Sequence, residues 1–143
     1  MERDTIELLS ECDAGIGMAV AAIDDVLPSV EDPKLFCSLS ENRDAHLELQ
    51  EQTRAQLDSL HAPGKAPNAM ARAMSWMKTN ARLAVKPGDA SVADLIIGGC
   101  NMGIKSLHKY QNQYAAADAP SRALADSLIG LEAELAQELY PYL

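Results

Sequence analysis

The chain is poor in aromatic residues, in positive charge and in long apolar runs. Phe, Trp and Tyr make up only 4% of its 143 residues, so a core must be aliphatic, which suits helices better than sheets. The net charge of −9 opposes binding to the phosphate backbone of a nucleic acid. The longest apolar run, residues 14–23, has about half the length that a membrane helix needs. We therefore expect neither a nucleic-acid partner nor a membrane span.

Cysteine is scarce too, and its pattern indicates a reducing compartment. Three cysteines at wide spacing do not make a disulfide framework. The first residues, Met1 to Asp4, lead directly into an amphipathic pattern and lack the apolar core of a signal peptide. We expect a cytoplasmic protein whose cysteines are thiols.

Apolar residues recur at three- and four-residue steps, and no segment alternates between apolar and polar residues. This periodicity predicts an all-α protein. The predicted single domain spans residues 1–143. It consists of a helical hairpin over 5–60, a short connecting helix over 67–86, and a second hairpin over 91–140.

Capping residues mark where the predicted helices begin. Asp32 followed by Pro33 is a strong start signal, because it joins a capping acid to a proline at the first helical position. Asp4 is placed to cap the first helix, and Ser91 with Asp94 has the spacing of a capping box for the helix that opens the second hairpin.

The motif Cys-x-x-Gly-Ile occurs twice, beginning at Cys12 and at Cys100. Each copy is followed about 20 residues later by a proline that opens another helical stretch, at Pro33 and at Pro120. The sequence thus predicts an internal two-helix repeat. Two long pairs can each bury an apolar stripe against the other, which gives a four-helix bundle.

This helix order resembles the ferritin-like superfamily, in particular small bacterial bundle proteins of unknown function with a short helix between two hairpins. The resemblance implies an antiparallel four-helix bundle with a fifth, connecting helix. Enzymes of that superfamily hold two metal ions with glutamates and Glu-x-x-His motifs. Here Arg43 stands three residues before His46, and the last helix has no histidine. We therefore expect no metal and no cofactor.

Glycine in mid-helix is unfavourable by about 1 kcal/mol relative to Ala, so the glycines near both motifs need a reason. One interpretation is close packing of the first helix against the helix that contains Cys100. A second is a soft-ion or redox site formed by Cys12, Cys100 and His46. A third is a cavity for a small apolar ligand. The candidate core or ligand site comprises Cys12, Gly15, Met18, His46, Cys100, Met102 and Gly103.

Residues 61–88 contain five Lys and Arg residues and no Asp or Glu. This segment either lies on an acidic bundle surface or docks onto an acidic partner, such as a second copy of the chain. The candidate interaction surface comprises Arg72, Trp76, Lys78 and Arg82.

These patterns together favour a non-enzymatic bundle that acts by binding a protein or a small ligand. The partner would be another copy of the chain or an unidentified protein. The alternatives are a soft-metal or thiol redox protein that uses the core cysteines, or a degenerate di-metal carboxylate protein.

Overall fold

Four long helices packed together make up the described part of the chain. The computed structural model describes residues 1–63, 83 and 87–143, and these contain no strand. The helices are α1 (Glu2–Val26), α2 (Pro33–Ser59), α3 (Asp89–Gln113) and α4 (Ala119–Leu139). The prediction of an all-α bundle is confirmed.

Short 3-10 turns follow α1 at Leu27–Ser29 and α4 at Tyr140–Tyr142. The predicted connecting helix over 67–86, with its candidate surface residues, lies outside the described residues. Within the described ranges, no helix combines the length and the apolar character that crossing a bilayer requires.

Two of the four helices begin at an aspartate cap followed by proline in the first turn. The Asp32 carboxylate accepts hydrogen bonds from the backbone N–H of Lys34 (2.7 Å) and Leu35 (3.2 Å) at the start of α2. Asp118 accepts from the N–H of Ser121 (2.9 Å) at the start of α4. Each bond satisfies an N–H group that has no partner within its own helix.

The predicted caps of α1 and α3 are wrong. Helix α1 begins at Glu2 without a side-chain cap, and Asp4 instead accepts from the backbone N–H of Ala116 (3.0 Å). Helix α3 begins two residues early, at Asp89 after Gly88, so Ser91 lies inside the helix and is buried. Gly88 has a φ of 123°, a conformation that glycine adopts without steric cost.

Hydrogen bonds at both ends of the bundle join the two hairpins. The Asp89 carboxylate, at the start of α3, accepts from the N–H groups of Glu31 (2.8 Å) and Asp32 (3.0 Å), just before α2. The Thr5 hydroxyl, in α1, accepts from the N–H of Asp118 (2.9 Å), just before α4. Helices α1 and α4 therefore begin at one end of the bundle, and α2 and α3 begin at the other.

Two hydrophobic clusters fill the core, one towards each end. The cluster near the starts of α2 and α3 includes Ile23, Leu35, Leu39, Val92, Cys100, Leu135 and Leu139. The cluster near the starts of α1 and α4 includes Leu8, Cys12, Ile16, Leu49, Leu57, Leu107 and Leu128. The two clusters are separated by about three turns on α2 and about two turns on α4, and these turns position the candidate site.

Candidate functional site

Polar side chains lie between the two hydrophobic clusters. We call Asn42 and His46 of α2 and Glu132 of α4 the central polar layer. Their exposed fractions are 7% for Asn42, 0% for His46 and 6% for Glu132. Burial of such groups is unfavourable unless hydrogen bonds replace those they make with water. The partners of each group therefore decide what the layer can do.

Hydrogen bonds fix the orientation of both α2 side chains. The Asn42 side-chain Nδ2 donates to the carbonyl oxygen of Leu131 (3.1 Å), which places this face of α2 against the α4 turn that carries Glu132. His46 Nδ1 lies 2.9 Å from the carbonyl oxygen of Asn42. Because a carbonyl can only accept, Nδ1 carries the hydrogen and donates. His46 Nε2 is therefore left with an unprotonated lone pair.

The carboxyl group of Glu132 occupies space that Gly103 of α3 leaves open. A Cβ atom at Gly103 would lie 2.7 Å from Glu132 Oε1 and 2.8 Å from Glu132 Cδ. Both distances are shorter than ordinary van der Waals contact. The absence of a side chain at Gly103 thus permits the buried position of this carboxyl group.

Burial makes the uncharged form of both ionisable groups in the layer more favourable. It raises the pKa of Glu132 from its ordinary value to about 8. It also lowers the pKa of His46, although the bond from Nδ1 to Asn42 partly opposes this shift. At pH 7 the layer therefore contains a protonated carboxyl group and a neutral imidazole.

The two motif cysteines are buried and lie in different hydrophobic clusters. Cys12 is 1% exposed and Cys100 is 5% exposed. Burial is the main cause that raises the pKa of each thiol to about 12, and the negative charge of Glu132 contributes to both shifts. The thiols thus remain protonated at neutral pH, whereas nucleophilic and metal-binding cysteines act as thiolates.

The two methionines do not belong to the core. Met18 is 46% exposed and Met102 is 73% exposed, so their predicted place beside the cysteines is wrong. Both occupy positions on their helices that point away from the buried stripe that contains Cys12 or Cys100.

Gly15 and Gly103 do not face each other between α1 and α3. A Cβ at Gly15 would meet Leu128 of α4 at 3.9 Å, and Gly103 faces Glu132 of α4. Gly98 and Gly99 are exposed, with no atom within 4 Å of an added Cβ. Gly15 and Gly103 therefore adjoin α4, whereas Gly98 and Gly99 face solvent.

Residues 1–63, 83 and 87–143 contain His, Cys, Asp and Glu side chains, the types that ligate metal ions. In these ranges, no three His, Cys, Asp or Glu side chains are arranged so that they could hold a metal ion. Cys12, His46 and Cys100, the predicted soft-ion ligands, all lie in the core, but they do not form such a group.

Sequence reasoning missed Asn42 and Glu132. The buried residues of α2 recur at regular steps of three or four, and Asn42 fills the step between Leu39 and His46. Glu132 stands 14 residues after the cap Asp118, just as His46 stands 14 residues after the cap Asp32. This equal spacing was the available signal. It was hidden by the leucine stripe beside Glu132, which accounts for the helix without it.

Comparisons with known proteins identify the fold and nothing finer. No family model matches the chain, and no curated protein matches it. A solved structure of a conserved hypothetical protein from Mycobacterium tuberculosis, Rv2844, is similar with a TM-score of 0.73 and 13% sequence identity. The similarity covers 99% of this chain and 98% of that chain. At this identity the likeness concerns the fold alone.

Proposed function

We propose that this protein is a non-enzymatic binding bundle whose central polar layer holds a small ligand. One observation carries the proposal. Asn42 Oδ1, His46 Nε2 and Glu132 Oε2 are buried and have no hydrogen-bond partner among the described residues. Each of the three side chains is more than nine-tenths buried.

Unpartnered buried atoms of this kind are unfavourable. Each costs about 1–3 kcal/mol, and native proteins satisfy nearly all such groups with protein, water or an ion. Asn42 and His46 are held in place by their other hydrogen bonds, so neither can turn away without breaking a bond. A ligand that supplies hydrogen-bond donors to these atoms removes the free-energy cost of leaving them unpaired. This gain in free energy favours binding of the ligand.

The chemistry of the layer favours binding over turnover. The two core thiols are protonated, with a pKa of about 12, so neither is an activated nucleophile. The layer lies between two hydrophobic clusters and has little exposed surface. A bulky substrate could not reach it without separating the helices, whereas a small ligand needs only local opening.

Native mass spectrometry tests the proposal when the protein is purified without chelators. We expect the native mass to exceed the denatured mass by that of one small ligand, and His46→Leu to lose this excess. His108→Leu is the matched control, because His108 is exposed on α3 and its replacement leaves the layer intact.

Two outcomes of that experiment contradict the proposal. One is an equal excess mass in wild type and His46→Leu, and the other is no excess mass in either. Elemental analysis of the same samples identifies a metal. If the protein contains copper or zinc, and replacing Cys12 and Cys100 removes that metal, the soft-metal alternative is correct instead. If it contains stoichiometric iron or manganese, the di-metal alternative is correct instead.

A further inference from the structure

We propose that the ligand of the central polar layer is a small primary ammonium ion, bound by Asn42 Oδ1, His46 Nε2 and the Glu132 carboxylate. This inference rests on the proposed function and names the chemical class of its ligand.

The balance of donors and acceptors points to this class. Asn42 Oδ1 is an acceptor because Nδ2 of the same amide donates to Leu131. His46 Nε2 is an acceptor because Nδ1 carries the ring hydrogen. Glu132 Oε2 is the third atom without a partner. A primary ammonium group offers three N–H donors on one atom, and a water molecule offers only two.

An ammonium site and a metal site differ in the distance from the bound ion to the protein atoms that contact it. Charge-assisted N–H···O bonds span about 2.7–2.9 Å, whereas zinc lies about 2.0–2.3 Å from its ligands. Within the described ranges, no three His, Cys, Asp or Glu side chains are arranged to hold a metal. The layer contributes only His46 and Glu132 to those residue types, so its groups suit hydrogen bonding better than metal ligation.

The charges around the layer favour a cationic ligand. Glu132 is the acid of the layer, whereas His46 of the same layer and the thiols of Cys12 and Cys100 are uncharged at pH 7. The arginines of α2 form ion pairs elsewhere, with Asp24 and Asp13 on α1. The net charge of −9 also attracts cations to the protein.

Binding of the ammonium ion is coupled to loss of a proton from Glu132. The pKa of this carboxyl group is raised to about 8 by burial, so it is protonated at pH 7 when no cation is present. A bound ammonium ion favours the carboxylate. The ion binds in its charged form, the Glu132 proton passes to solvent, and the total charge of the site is conserved.

Isothermal titration calorimetry at pH 7 tests this inference with methylammonium chloride. Tetramethylammonium is the matched probe, because it carries the same charge and has no N–H group. We expect methylammonium to bind at least about tenfold more tightly, in proportion to the hydrogen bonds it alone can make. We also expect its heat to change with the ionisation enthalpy of the buffer, which reports the released proton.

Variants show whether binding occurs at the layer. Glu132→Gln should weaken methylammonium binding by about tenfold or more and abolish proton release. Glu134→Gln, two residues away on the exposed side of α4, should bind as wild type does. Circular dichroism of each variant shows whether it is folded.

Two results overturn the inference. They are absence of methylammonium binding and equal binding of the two probes. If either occurs while wild type still retains a ligand that His46→Leu loses, the proposed function stands and only the ligand class is wrong. If no such ligand is retained either, the proposed function fails as well.

Discussion

Glu132 determines how the stability of this protein depends on pH. Its folded-state pKa of about 8 exceeds its ordinary value of 4.5, so the unfolded chain loses this proton more readily. The contribution of Glu132 to stability is therefore complete below about pH 4.5 and is lost as the pH rises through about 8. A shift of this size corresponds to a loss on the order of 5 kcal/mol.

Glu132→Gln removes that titration. We expect its free energy of unfolding, measured with urea between pH 5 and pH 8.5, to fall less than that of wild type. It should exceed the wild-type value at the upper end of the range. Glu134→Gln serves as the control because its carboxylate is exposed. Parallel pH profiles for wild type and Glu132→Gln would show that Glu132 is not buried as described.

Two glycines of α3 should respond to alanine in opposite directions. Gly98 has open space around an added Cβ, so Gly98→Ala should stabilise the protein by about 0.5–1 kcal/mol through helix propensity. Gly103→Ala places its Cβ against the Glu132 carboxyl group and should destabilise it by about 1–2 kcal/mol. Urea unfolding at pH 6 measures both changes. Equal stabilisation by the two substitutions would contradict the position assigned to Glu132.

At the scale of single residues, the sequence predicts core positions that follow the apolar periodicity better than it predicts a buried acid such as Glu132. Cys12, His46 and Cys100 stand at core positions of apolar helices, which predicts their burial, and the structure places all three in the core. Glu132 was missed because a lone acid beside a complete leucine stripe is typical of a helix surface. Its burial depends on Gly103, which belongs to a different helix.

Individual helices are predictable where their start signals are local. The start of α2 is predicted and observed at Pro33, because Asp32 and Pro33 both act within its first turn. The starts of α1 and α3 were misplaced because Asp4 and Asp89 accept hydrogen bonds from the opposite hairpin. A hydrogen-bond partner so distant along the chain cannot be predicted from the local sequence.

The Asp32 cap gives a test at the scale of one helix. Asp32→Ala removes the acceptor for two backbone N–H groups and should lower the free energy of unfolding by about 1 kcal/mol. Asp44→Ala, in an exposed part of α2, should change it by less than about 0.5 kcal/mol. Urea unfolding at pH 7 measures the difference. Similar effects of the two substitutions would show that the cap contributes nothing.

At the scale of the whole molecule, the number and packing of the four long helices in the described residues follow from the apolar pattern. A neighbour in fold with 13% sequence identity fits this view, since a pattern of buried positions can persist while most residues differ. The hydrogen bonds that join the two hairpins at their ends were not predicted, because they connect residues as far apart along the chain as Asp4 and Ala116.

These end contacts should stabilise the bundle independently of one another. Asp89→Ala and Asp4→Ala each remove acceptors at opposite ends, and each should cost about 1–2 kcal/mol. Because helices of 25 residues separate the two sites, the double variant should lose the sum of the two effects. Urea unfolding of the four proteins tests this. A loss much smaller than the sum would mean that one end already opens when the other is disrupted.

The central claim is that the layer carries an acceptor that a ligand can use, and 15N NMR of His46 tests it most directly. In protein refolded without small molecules, at pH 7, the account predicts a His46 Nε2 signal typical of a bare lone pair. That signal should move upfield when methylammonium is added. An Nε2 that is already hydrogen-bonded before any addition, and that does not respond to the ion, would contradict the account.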